Sequence, residues 1–134
     1  MSCLPINSIK EEANAERFSP AALAFVGDAV YSLAVRQMLV VSGDLPANTL
    51  HNRAAQLVSA SAQAAAAGKI LPLLSQKESD IFRRGRNMHT VRTPKSSSTA
   101  EYHAATALEC LMGYLYLKNQ YERIDELLKI IFND

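Results

Sequence analysis

The chain has 134 residues, 49% of them hydrophobic, enough for one domain with its own core and too little for two. Two cysteines, Cys3 and Cys110, form neither a disulfide framework nor a metal-ligand spacing, so both read as reduced thiols. The net charge of +1 conceals a split: residues 83–95, RRGRNMHTVRTPK, hold Arg83, Arg84, Arg86, Arg92 and Lys95 with no acid, and with those five set aside nine basic residues face 13 acidic ones. A basic segment on an acidic body suits a polyanionic partner. Residues 1–17 carry Lys10, Glu11, Glu12, Glu16 and Arg17, so no signal peptide is expected there. No apolar run is expected to approach membrane-spanning length, so a soluble cytoplasmic protein without a membrane partner is expected.

In chain order, residues 1–18 read as an N-terminal extension able to make a turn or two of helix, and residues 19–134 as a single domain. Ser19-Pro20 starts the first long helix, with serine as cap and proline at the first helical position. It runs to about Val41, where Ser42-Gly43-Asp44 stops it. Pro46 to Ala67 is alanine-rich and predicts a second long helix ending at Gly68, with Leu50, Ala54, Leu57, Val58 and Ser61 on the packing face and Arg53 and Gln56 outward. A short turn around Pro72 follows. Ser75 with Glu78 has capping-box spacing and opens a third helix, Gln76 to about Arg86. Residues 87–98, NMHTVRTPKSSS, read as a basic surface loop. Thr99 is expected to cap a fourth helix to about Leu117, and Asn119 or Gln120 separates it from the amphipathic YERIDELLKIIF. With no convincing strand, the fold class is all-α.

Two carboxylates stand out against this apolar background. Asp28 sits in ALAFVGDAVY of the first helix, and Glu109 in TALECLMGYLYL of the fourth. A carboxylate taken from water is costly unless hydrogen-bonded, paired or bound to a metal. Arg53 or another chain could supply a counter-charge. Alternatively, Gly27 and Gly113 let the two helices approach closely, the acids converge, and a cation relieves their repulsion. Magnesium suits such a pair, since it takes one or two carboxylates, keeps several waters and accepts phosphate oxygens. Tyr102, His103 and Thr106 are weaker candidates for contacts to the site or to a polyanionic partner, as is His89 for phosphate. Tyr31, Met112, Tyr114 and Tyr116 fit core or interface positions.

Taken together, FVGDAVY, RRGRN and ALECLMGYLYL resemble the catalytic domain of the ribonuclease III family, in its compact Mini-III branch, over roughly residues 19–132. The resemblance implies an all-helical homodimer, a ribonuclease III-like helical bundle, that cleaves double-stranded RNA with Mg2+ to leave 5′-phosphate and 3′-hydroxyl ends. It implies trimming of the 23S ribosomal RNA precursor, with a ribosomal protein or particle as a further partner. Asp28 matches the aspartate of the family's F-L-G-D motif and Glu109 the glutamate of its D-A-x-E-A motif, making both catalytic metal ligands. Larger relatives carry further acids where this chain has Ala24 and Thr106, a reduction that Mini-III sequences share. No separate double-stranded-RNA-binding domain is expected, so RNA contact would fall to Arg83, Arg84, Arg86, Arg92 and Lys95, unless that segment is only a solvated loop. The rival is a non-catalytic helical dimer that binds structured RNA or ribosomal particles.

Overall fold

The computed structural model describes residues 14–88 and 99–133. Among the described residues, six α-helices follow a 3-10 turn at Ala15–Arg17: α1 Pro20–Ser42, α2 Ala47–Leu57, α3 Ala60–Ile70, α4 Gln76–Arg86, α5 Thr99–Leu117 and α6 Tyr121–Phe132. A second 3-10 turn, Leu71–Leu73, links α3 to the connection before α4. The described residues contain no strand, in keeping with the all-α expectation.

Local chemistry explains most boundaries. Ser19 Oγ accepts the Ala22 N–H at 3.1 Å and Pro20 takes the first helical position, so α1 begins where expected. The full capping box forms at α4: Ser75 Oγ accepts the Glu78 N–H at 3.2 Å while Glu78 Oε1 accepts the Ser75 N–H at 2.8 Å. At the end of α5, Asn119 adopts φ 60°, the left-handed turn. The Gln120 N–H then bonds Leu115 O at 2.8 Å and the Asn119 N–H bonds Tyr116 O at 3.0 Å, which satisfies the last carbonyls and frees the chain to begin α6.

Three expectations are corrected. The second long helix is two: the chain breaks at Val58-Ser59, where Ser59 turns extended (φ −62°, ψ 158°) and its hydroxyl caps α3 through the Ala62 N–H. Continuous alanine-rich helicity hid a serine able to start a new helix. Gly68 is accordingly inside α3, which runs on to Ile70, and Thr99 is the first described residue of α5 and already helical. Finally, α1 is by length and composition long and apolar enough to cross a membrane, against the expectation that no run would be. Its apolarity is divided between two faces. Leu23, Tyr31, Val35 and Leu39 enter the core, whereas Phe25, Leu33, Val40 and Val41 face outward.

Helix α5 is the axis of the bundle, buried from Ala105 through Cys110 to Leu115 with Glu109 as the partial exception, and α1, α3 and α4 pack round it. The tightest approach is to α1. A Cβ at Gly27 would overlap the carbonyl oxygen of Glu109, and one at Gly113 would overlap the carbonyl oxygen of Leu23. Backbone therefore lies directly on backbone, and the helix propensity of roughly 1 kcal/mol lost at each glycine is exchanged for that contact. Residues 14–18 lie against the domain: Ala15 is fully buried, and Glu16 reaches Lys77 at 3.2 Å and Lys118 at 3.9 Å.

Candidate active site

Gly27 immediately precedes Asp28, and the carbonyl it touches belongs to Glu109. The crossing of α1 and α5 thus delivers the two carboxylates to one place, the second of the two arrangements that the sequence left open. They stand within hydrogen-bonding reach of each other, Asp28 on the solvent side and Glu109 partly buried. Burial first, and then the negative charge of Asp28, push the Glu109 carboxyl from its ordinary 4.5 up to about 7, against a hydrogen bond from Gln63 that favours the charged form. Below about pH 7 Glu109 keeps a proton that it can share with Asp28. Above it two carboxylates face each other and attract a cation.

A third member was not visible in the sequence. Gln63 on α3 is only 2% exposed, and its Nε2 donates to Glu109 Oε2 at 3.3 Å and to Val58 O at 3.0 Å. Both partners are acceptors, which fixes which end of the amide faces them. The other end, Oε1, is buried with no hydrogen-bond partner, an omission worth roughly 1–3 kcal/mol. In ASAQAAAAG a single glutamine reads as a solvated residue on an alanine helix. The only available signal was that Ser59 starts a new helix four positions earlier.

The two carboxylates form a hard, oxygen-only donor pair, with the Gln63 amide presenting its N–H side to one of them. Among the described residues no three His, Cys, Asp or Glu gather to hold a metal. Such a sparse oxygen set fits an ion that retains several waters, as magnesium does, and not a fully protein-ligated zinc.

The weaker candidates separate. Thr106 is buried and its hydroxyl donates to Tyr102 O at 3.0 Å, so its proton is engaged within α5 and not with the acids. Tyr102 and His103 are half-buried, their rings edge to face at 5.9 Å, and His103 Nδ1 is buried without a partner. Tyr31, Met112 and Tyr114 are core residues, and Tyr116 packs against that core.

The basic segment divides likewise. Exposed Arg83 pairs with Asp80 at 2.8 Å, and Arg86 is exposed at the last turn of α4. Arg84 instead reaches back to the carbonyl oxygens of Glu16, at 3.4 Å, and Phe18, at 3.1 Å, fastening the segment before α1. Gly85 between them rests on Ala107 and Cys110, so this end of α4 lies at the height of Glu109 along α5. His89, Arg92 and Lys95 lie outside the described residues.

Comparison with known proteins agrees with this geometry. The Ribonuclease III domain family matches residues 21–120. The chain is 46% identical over 112 residues to the Mini-ribonuclease 3 of Thermoanaerobacter sp. (strain X514), covering 84% of this chain and 79% of that protein. It is 44% identical over 117 residues to the Mini-ribonuclease 3 of Symbiobacterium thermophilum, covering 87% and 90%. A crystal structure of a Fusobacterium nucleatum protein superposes with a TM-score of 0.78 at 32% identity, over 86% of this chain and 92% of that one. A helical bundle whose two central helices carry the motif acids, matched by a family over most of its length, leaves one assignment: the chain belongs to the ribonuclease III family, in its Mini-ribonuclease 3 branch, and is an endoribonuclease.

Proposed function

We propose that this endoribonuclease is magnesium-dependent, cuts double-stranded RNA to leave 5′-phosphate and 3′-hydroxyl ends, and matures the ends of precursor 23S ribosomal RNA in the cytoplasm. The convergence of Asp28 and Glu109 from α1 and α5 carries the reading. Asp28, exposed, and Glu109, partly buried, would hold the ion between them. When bound there, such an ion would supply activation of water for in-line attack on phosphorus and neutralisation of charge on the leaving 3′-oxygen. Deprotonation of Glu109 prepares the pair for it, so cation binding and proton release are linked. Arg83 and Arg86, with Arg92 and Lys95 of the same basic segment, grip phosphates of the duplex, while Arg84 chiefly holds the N-terminal turn.

Residues 19–134 act as one catalytic domain, and two copies of it provide one cut per strand. The outward apolar face of α1, with Phe25 83% exposed three residues before Asp28, supports a second copy docking beside the site. A ribosomal protein or particle is the further partner that precursor trimming implies. The test is cleavage of a perfect RNA duplex by purified protein, with Mg2+ and with chelator. Discrete products bearing 5′-phosphates are expected only with the metal. Asp28→Asn or Glu109→Gln should lower the rate more than about 100-fold, beyond what loss of an outer partner of a metal ligand costs, while duplex binding persists. Undiminished cleavage by either variant removes the mechanism.

A further inference from the structure

The break between α2 and α3 bears directly on the acidic pair. In an unbroken helix the Val58 carbonyl would accept the Ala62 N–H. Here Ser59 Oγ takes that N–H at 3.2 Å, while Ser59 O accepts the Gln63 N–H at 2.9 Å to begin α3. Val58 O is thereby released, and Gln63 Nε2 occupies it at 3.0 Å. The remaining amide hydrogen goes to Glu109 Oε2, 46 positions along the chain on another helix. A glutamine amide has two N–H groups, and both are used on acceptors belonging to different elements.

We propose, resting on the metal-dependent reading above, that Gln63 is a positioning residue: it anchors on the carbonyl freed at the α2–α3 break and holds the Glu109 carboxylate turned toward Asp28 in the orientation that receives the cation. Three observations converge on it. The side chain is almost wholly buried, where an alanine or leucine would pack without hydrogen-bonding demands. Its anchor is a backbone atom, which gives the amide a fixed origin. Its Oε1 stays unpartnered, so hydrogen-bond satisfaction alone does not account for an amide there. A carboxylate free to rotate would present its oxygens to the cation for only part of the time, and partners of metal ligands commonly set metal affinity through such orientation.

The experiment compares wild type with Gln63→Met, which keeps the length of the side chain and removes both donors together with the orphan oxygen. Mn2+ binding, followed by electron paramagnetic resonance on the protein alone, should weaken by about tenfold or more. The Mg2+ concentration for half-maximal duplex cleavage should rise by a similar factor, with the rate recovering toward wild type at saturating Mg2+. Circular dichroism and melting should stay those of a folded helical protein. A folded Gln63→Met that binds Mn2+ as tightly as wild type overturns the proposal. If that variant does not fold, the wild-type 15N side-chain amide of Gln63 decides: slow exchange and a shift on adding Mg2+ support it, whereas exchange as fast as that of exposed Gln37 refutes it. Wild type that neither binds Mn2+ nor cleaves duplex would instead refute the function itself, so the two failures are distinguishable.

Discussion

Glu78 and Glu109 are both glutamates set into the packed side of a helix, yet their surroundings drive them in opposite directions. Glu78, 6% exposed, accepts from Arg123 Nε at 2.9 Å, from an Arg123 terminal nitrogen at 2.9 Å and from the Ser75 backbone N–H at 2.8 Å. Burial alone would raise its pKa, but the Arg123 and Ser75 hydrogen bonds outweigh it and hold the carboxyl below its ordinary value. Glu109 meets another carboxylate and a single amide donor, and is pushed up to about 7. The first is a completed structural clamp, with Arg123 also bonding Leu73 O at 2.9 Å and so joining α6 to the connection before α4. The second is left electrostatically open. Burial of a carboxylate therefore does not by itself mark a functional site, and burial without a matching positive charge is the more informative sign.

The comparison can be broken at three points. Arg123→Leu strands Glu78 and should cost about 3 kcal/mol, toward the low end for a broken buried pair because Arg123 keeps part of its side chain in water. Chemical denaturation would measure the loss, and duplex cleavage well below the unfolding midpoint should be unchanged. A matching fall in cleavage would mean that the clamp and the site are not separate.

Next comes pH. In the metal-free protein, Glu109 keeps a proton to about pH 7 that the unfolded chain releases near 4.5, so its contribution to stability is full below 4.5 and is lost as pH rises to 7. The loss is on the order of 2 kcal/mol, since Glu109 retains some solvent contact. Asp28→Asn should flatten that slope only in part, because burial is the larger cause, and should make the metal-free protein more stable at pH 7.5 than wild type. Melting curves from pH 4.5 to 8 in chelator would show this, and a variant no more stable than wild type at pH 7.5 would count against repulsion at the pair. Glu78 contributes with opposite sign, its support present above the ordinary glutamate range and fading in acid. The smallest effect is expected from Ser75→Ala, about 1 kcal/mol of lost capping, with Glu78 still held by Arg123.

How far the sequence could be read follows from the range of the interactions involved. Helix starts at Ser19 and Ser75 were legible because a cap and its partner lie within four residues. The convergence of Asp28 with Glu109 was legible because each acid lies near a glycine in an otherwise apolar helix. Arg123 as the partner of Glu78 was not, since 45 positions separate them and nothing local marks the pair. The role of Gln63 was hidden twice, by the alanine run that conceals the helix break and by a partner 46 positions away. Arg84 read as one more charge in RRGRN, and only its contact with the turn before α1 separates it from Arg83.

The reciprocal contact of Gly27 and Gly113 has an evolutionary consequence. Where side chains set the spacing of two helices, each change of core volume alters that spacing slightly. Here the main chains of α1 and α5 rest on one another and act as a hard stop. Substitutions at Leu108, Leu111 or Leu115 can therefore raise or lower stability while the separation of Asp28 from Glu109 stays constant, leaving the core of the enzyme free to drift without retuning its chemistry.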